Sequence, residues 1–448
     1  MTRFAIALAA FAALLSCLHG CGGDADADGE PREKLVLVSP HNDNIEEEFG
    51  EAFRQWHKAR YGSDVELVWR DVGGGGSKIV EYLTNVYERS DTSEIDIVWG
   101  GGDYYFLKLA DAGVLQPMEL PKEYVEQTPA VYGGLELYDK DKKLWAGAAM
   151  GGFGILYNRT LLNRLHAAPP KLWDDLGDKR FYGLVALADP TQSSSAATAY
   201  EMIVQSAADW PSGWAKLMAV LGNSQKFYDG ASGAADAVIS EAPVATCIDF
   251  YGFMRVDKYP ADLNYVSPKG QTAFNADPIG ILKNPPHPEL AQRFVDFVLS
   301  KEGQALWAVE PGKPGGPRKH RLMRQPIRKD VYAEYGEDFT SWITNPYAEG
   351  SEMKLDVEMR NTRFPVLRAM VKAAAIDNAS ALRQARKKLI DSGFDAAMLA
   401  EYNQLPPDVR TAEQIREVSQ KLRDKTEAEK ITTDWQRFFR DKYARIAG

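Results

Sequence analysis

The sequence predicts an α/β fold in two lobes, followed by a helical C-terminal extension. Three observations predict it. Strand and helix patterns alternate three times between residues 34 and 99. A glycine-rich strand follows at residues 144–160. A second strand–helix set resumes beyond it, and the chain turns helical and charged from about His320. Such alternation builds a largely parallel sheet, whose ligands sit beyond the carboxyl ends of the strands.

Taken in order, residues 1–21 read as a lipoprotein signal peptide. Arg3 is followed by an apolar core at residues 4–15, shorter than the roughly 20 residues of a membrane span. Leu18-His19-Gly20-Cys21 has the form of a bacterial lipobox, and Cys21 is the expected lipidation site. Leu14-Leu15-Ser16-Cys17 fits almost as well, and a plain secretory signal is the simpler alternative. Residues 22–33 open with GGDADADGEP, a flexible tether whose reach of ~20 Å keeps the folded body near a membrane.

Residues 34–39 (KLVLVS) predict a short buried strand ending at Pro40-His41-Asn42. Ile45, Phe49, Phe53 and Trp56 give residues 45–60 a helical stripe. Strand 65–69 runs into Gly73-Gly74-Gly75-Gly76-Ser77-Lys78 and a helix at 79–87. The order and spacing of that loop are not those of a P-loop, so it reads as a mobile turn. Strand 95–99 (IDIVW) opens into Gly100, Gly101, Gly102, Asp103, Tyr104 and Tyr105. In residues 144–160, Gly147, Gly151, Gly152 and Gly154 interrupt a strand pattern, as at a bulge or a close approach. With α/β units on both sides, this stretch reads as the crossover between lobes and the floor of a cleft; an ordinary core strand is the plainer alternative.

Residues 172–176 (LWDDL) open the second set, and strand 183–188 ends in a loop carrying Ser193, Ser194 and Ser195 before a helix at 196–206. Hydroxyls and free N–H groups at a helix start can hold an anion as well as cap the helix. A strand at 244–250 (VATCIDF) leads to Tyr251, another lies at 278–282, and Leu290, Phe294, Phe297, Val298 and Leu306 share one face of a helix at 288–306. In the tail, Trp342, Phe364, Trp435, Phe438 and Phe439 are expected anchors, and residues 391–442 hold no heptad.

A chain of 448 residues that is 45% hydrophobic can build two or three cores, and its net charge of −10 argues against a nucleic-acid partner. Cys247 is the only cysteine beyond the signal, which excludes an internal disulfide in the mature chain and a Cys/His zinc site.

With these residues in place, the body resembles the solute-binding proteins of bacterial ABC importers, the type II periplasmic-binding-protein fold, and among them the ferric-iron, thiamine and phosphonate group. The marks are IDIVWGG at 95–101, LADAGVLQPMELP at 109–121, WAGAAMGGFGILYN at 145–158, Trp173 to Leu176 with residues 189–195, and AQRFVDFVLSKEGQAL at 291–306. They cover about residues 34–330. The expected organisation is lobe 1 at 34–147 and 266–325, lobe 2 at 148–265, and a helical region at 326–448 packing mainly on lobe 2. The resemblance implies a small solute captured between the lobes and delivered to a membrane permease. It implies no catalysis and no resident cofactor. The protein is then expected as a lipid-anchored monomer of the periplasm or cell surface.

In iron-binding members a histidine after the first strand, a carboxylate after the third and two adjacent tyrosines hold Fe(III). Here His41 or Asn42 stands at the first position and Asp103 at the second, but the tyrosine pair is Phe250-Tyr251 and one phenolate is missing. His41, Asp103 and Tyr251 are the metal set if Fe(III) is the cargo. A small organic anion, such as a phosphonate, phosphate ester or carboxylate, would use Ser193, Ser194 and Ser195. A cation such as thiamine or a polyamine would lie against Trp99, Tyr104 or Tyr251, with Asp103 or Asp249 as counter-charge. The whole expected ligand set is His41, Asn42, Gly101, Gly102, Asp103, Tyr104, Ser193, Ser194, Ser195, Asp249 and Tyr251. Two other classes stay open: a ligand-sensing lipoprotein that signals to a receptor, and an exported hydrolase, for which G-x-S-x-G is absent at the serines and no His/Asp partner is assignable.

Overall fold

Two sheets, each with its own core, are joined by a chain that changes sheet at Gly152 in the computed structural model, which describes residues 33–349 and 353–448. The expected signal and Cys21 lie outside the described residues, as does the tether up to residue 32. The strands are β1 (Glu33–Val38), β2 (Val65–Arg70), β3 (Ile97–Trp99), β4 (Leu115–Gln116), the hairpin β5 (Val131–Tyr132) and β6 (Leu135–Glu136), β7 (Ala146–Gly151), β8 (Phe153–Asn158), β9 (Val185–Ala188), β10 (Ser224–Tyr228), β11 (Val244–Ile248), β12 (Leu263–Val266) and β13 (Asn275–Leu282). The first sheet runs β2-β1-β3-β13-β4, with β7 also on β13. In it β1 is parallel to β2 and β3, while β13 is antiparallel to β3, β4 and β7. The second runs β10-β9-β11-β8-β12, with β9 parallel to β10 and β11 and β8 antiparallel to β11 and β12. This is the two-lobed α/β architecture that the alternation predicts.

Strand β3 is fully buried, as a central strand covered on both faces must be. The helix Asp43–Tyr61 starts where Asn42 accepts from the Ile45 N–H at 3.2 Å, and buries Ile45, Phe49 and Phe53. The crossover is two strands rather than one, β7 in the first sheet and β8 in the second. Gly154 is required there: a Cβ would lie 2.3 Å from the Val266 carbonyl oxygen and 2.6 Å from the Tyr265 hydroxyl.

Several boundaries differ from expectation. The strand expected at 244–250 ends at Ile248, and Asp249 opens the helix Asp249–Lys258. The helix expected at 288–306 breaks at Ser300, whose hydroxyl accepts from the Gly303 N–H at 3.0 Å and starts a second helix, Lys301–Ala305. The LWDDL segment is a 3-10 turn, Trp173–Gly177, that buries Trp173. Of the Gly73–Lys78 loop, Gly76 onward is already helical in Gly76–Tyr87. Strand β10 and the helices Trp210–Gly222 and Ala231–Ser240 complete the second lobe without a sequence forecast.

The C-terminal region divides. Ile327 joins the core of the first lobe, and Val331 packs with Ala305 and Val309. From the helix Val357–Val371 onward, Val366, Leu367, Leu382, Leu389, Trp435 and Phe439 share one core with the second lobe, and Trp342 and Phe438 pack on it. Among the described residues no helix is long and apolar enough to cross a membrane.

Candidate functional site

The parallel strands of both sheets point their carboxyl ends at one cavity of about 330 Å³ between the lobes, within the range of small-molecule sites. Pro40 and His41 reach it after β1, Gly75 and Gly76 after β2, and Gly101 to Tyr105 after β3. From the second lobe come Gln192 to Ser195 after β9, Asp229 to Ser232 after β10, and Phe250 and Tyr251 after β11. Antiparallel β13 brings its opposite end, Asn275 to Asp277, to the same place.

Asp277 organises the first-lobe wall. Its Oδ1 accepts from the N–H groups of Gly101 at 2.9 Å and Gly102 at 3.2 Å. Its Oδ2 accepts from His41 Nε2 at 2.9 Å and from Arg324. Gly100, Gly101 and Gly102 all have φ between 89° and 103°, a conformation that only glycine adopts freely. A Cβ on Gly100 would also lie 2.7 Å from His41 Nε2. Burial pushes the Asp277 carboxyl up, but the Arg324 charge and the His41 hydrogen bond outweigh it and hold the group well below the usual carboxylate range. Burial drives His41 down, against the pull of Asp277. A neutral His41 bonded to an ionised Asp277 must carry its proton on Nε2. Its Nδ1 is then an acceptor, and among the described residues it is buried without a partner, as is the Arg324 Nε donor. The Arg324 guanidinium also lies 4.1 Å from the Phe250 ring across the cleft.

Helix starts dominate the rest. The helices Gly76–Tyr87, Asp103–Asp111 and Ala231–Ser240 begin at the cavity with glycine N-caps, Gly75, Gly102 and Gly230, and no side-chain cap. Ser194–Gln205 begins there too, with Ser193 accepting from the Ala196 N–H at 3.2 Å and lying 3.1 Å from the Ser195 hydroxyl. Ser194 reaches across the cleft to the Gly101 carbonyl oxygen at 3.5 Å. A helix start leaves N–H groups without partners inside the helix and carries about half a positive charge.

Of the expected ligand residues, the cavity brings together His41, Gly101, Gly102, Asp103, Tyr104, Ser193, Ser194, Ser195 and Tyr251. Two are corrected. Asn42 does not line it, because its side chain caps the helix Asp43–Tyr61. Asp249 does not line it either: it turns inward to accept from the N–H groups of Gly152 and Phe250, both at 2.7 Å. Burial, against those amides, pushes its carboxyl up to about 7. Sequence reading missed Arg324, Asn275, Asp277 and Phe364. Asp277 sits in an apolar strand pattern and Arg324 in a stretch without a motif, so only the fold connects them to the loops.

Residues 94–329, more than half of the chain, match the family described as bacterial extracellular solute-binding protein. The chain belongs to that family. This solute-binding protein is 30% identical over 190 residues to the phosphoglycerate transport regulatory protein PgtC of Salmonella typhimurium, a match covering 40% of this chain and 47% of that one. The chain thus aligns with about half the length of that relative. Its fold is similar to the periplasmic binding protein AfuA of Actinobacillus pleuropneumoniae with fructose-6-phosphate bound (TM-score 0.58, 18% identity, covering 80% of this chain and 98% of that one). It is similar also to iron-bound HitA of Pseudomonas aeruginosa (TM-score 0.55, 18% identity, covering 75% and 98%). The family is that of extracellular solute-binding proteins, and the fold is the two-lobed one of type II periplasmic binding proteins.

The solute-binding protein commits its expected metal residues elsewhere. Asp103 Oδ2 pairs with Arg360 at 2.7 Å and Oδ1 accepts from Asn275 at 3.2 Å, while His41 is held by Asp277. Burial pushes the Tyr251 phenol up, against the Arg324 and Arg255 charges, which disfavours a phenolate. Among the described residues no three of His, Cys, Asp and Glu stand together as a metal cluster.

Proposed function

We propose that this protein captures a small phosphorylated organic anion in the interlobe cleft and delivers it to an importer permease in the membrane. The observation that carries the reading is the charge balance of the cavity. Its buried carboxylates, Asp103 and Asp277, are already neutralised by Arg360 and Arg324. Uncapped helix starts and serine hydroxyls are the donors left over, and such starts are ready sites for phosphate. The unpartnered Nε of Arg324 adds a donor, and Nδ1 of neutral His41 suits a ligand hydroxyl. The names of PgtC and AfuA, with phosphoglycerate and fructose-6-phosphate, point the same way, whereas HitA points to iron. We place the anchor at Cys21; acyl labelling that persists in Cys21→Ala would move it.

Native mass spectrometry of gently purified protein, followed by calorimetric titration with 3-phosphoglycerate and fructose 6-phosphate, tests the ligand. Micromolar or tighter binding of a phosphorylated probe, with inorganic phosphate binding more weakly, is the expected result. Stoichiometric Fe(III) with a visible charge-transfer band that Tyr251→Phe abolishes would overturn it. The description of PgtC as a regulatory protein favours a second reading, in which the loaded form signals to a membrane sensor. A deletion strain separates the two: lost uptake of the ligand marks an importer component, and retained uptake with a lost transcriptional response marks a sensor.

A further inference from the structure

The C-terminal helices reach the cleft through Val357–Val371, and we propose that this helix is a latch. It moves with the second lobe and holds the first lobe shut through Arg360 and Phe364, so that the C-terminal region sets how readily the cleft opens and releases its solute. The inference rests on the reading of the cleft as the solute site.

The two grips are unequal in kind. On the second lobe the helix is part of the core, through Val366, Leu367 and Met370. There Arg363 pairs with buried Glu201, and Arg368 donates to the carbonyl oxygens of Pro190 at 2.7 Å and Thr191 at 2.6 Å, just ahead of the serine loop. On the first lobe it meets the opening turn of Asp103–Asp111. Arg360 Nη2 lies 2.7 Å from Asp103 Oδ2, with the two side chains 2% and 7% exposed. The Phe364 ring lies 4.2 Å from the Tyr104 ring. Tyr104 and Tyr105 of the first lobe, Ala197 of the second and Phe364 of the tail form one buried cluster, separate from both lobe cores.

Both contacts lie at the cavity wall, since Asp103, Tyr104 and Phe364 line it. Opening the cleft on that side must therefore part Asp103 from Arg360 and Tyr104 from Phe364. Each half of the ion pair is braced by its own side: Asp103 by Asn275, and the Arg360 fork by Asn361 at 2.8 and 3.1 Å. The pair comes apart as two fixed pieces, and a buried charge that loses its partner is costly. This makes the contact a catch with two states, the kind of element on which hinge closure depends.

The test uses the full chain with Arg360→Gln and Phe364→Ala. Without ligand, amides of Asp103–Asp111 in Arg360→Gln should exchange about tenfold faster than in wild type, and small-angle scattering should give a larger radius of gyration. With 3-phosphoglycerate as probe, dissociation from Phe364→Ala, which leaves the Asp103–Arg360 pair intact, should quicken about tenfold in stopped flow while association changes little. An unchanged radius in both variants, with or without faster exchange, would overturn the latch. If the probe fails to bind wild type but Arg360→Gln expands, the ligand reading falls and the latch stands. Should Arg360→Gln not fold, the double variant Asp103→Asn, Arg360→Gln leaves no lone charge, and its radius decides the matter by the same criterion.

Discussion

Each lobe buries an aspartate near the cleft, and the two behave in opposite ways. Asp277 of the first lobe has a guanidinium, an imidazole and two glycine N–H groups, and its carboxyl is held far below the usual range. Asp249 of the second lobe has the amides of Gly152 and Phe250 at hydrogen-bond distance but no ion pair among the described residues, and burial raises it to about 7. The difference teaches what each carboxylate is for. With a cation in contact, Asp277 fixes a charged wall of the pocket. Asp249, bonded in both directions to Gly152 where the chain changes sheet, clasps the crossover and has little net claim to its charge.

Removing the first network should have the largest effect. Asp277→Ala strands Arg324 and frees the Gly101 and Gly102 N–H groups, and should cost roughly 3–5 kcal/mol of unfolding free energy in urea titration. A loss under 1 kcal/mol would mean that the network does not hold the wall.

The two carboxylates should also differ in pH dependence. For Asp277 the folded value is depressed, so its contribution is present above the unfolded pKa of about 3.9 and is lost as pH falls below it. For Asp249 the folded value is raised, so folding favours the protonated form and stability declines as pH rises from about 4 through 7. Asp249→Asn should flatten that decline, read as the slope of unfolding free energy against pH, since the Asn amide keeps an acceptor for only one of the two N–H groups and loses the other bond at every pH. A pH profile indistinguishable from wild type would remove the claim.

Arg324 tests the comparison at the ligand. Arg324→Gln should weaken a phosphorylated probe by about 10- to 100-fold, the usual worth of a hydrogen bond to a charged group, at a temperature where circular dichroism shows the variant folded. Equal affinity would leave anion binding to the helix starts alone. The smallest effect is expected at Ser194→Ala, about 1 kcal/mol of binding free energy by calorimetry, because backbone N–H groups of that helix start remain in place. A larger loss would show that the hydroxyl, not the backbone, is the donor.

The alternation of residues 34–99, the glycines at 147–154 and the apolar stripe of Pro288–Leu299 were enough to place two sheets and a crossover, because backbone geometry and burial impose a period on the sequence. Loops following strands could be named for the same reason, and His41, Asp103, Ser194 and Tyr251 come from them. What tertiary structure alone decided is pairing across long separations. Asp277 meets Arg324 and His41, Asp103 meets Arg360, and Phe364 meets Tyr104, at sequence separations of 47 to 260 residues. No local pattern marks such contacts, since a charge or ring in a strand or tail looks the same whether it faces solvent or a partner. The change of sheet at Gly152 shows the same limit. Sequence indicated the crossover between lobes there, and only the fold shows that it is two strands, β7 and β8, parted at Gly152, with Asp249 turned inward to hold it.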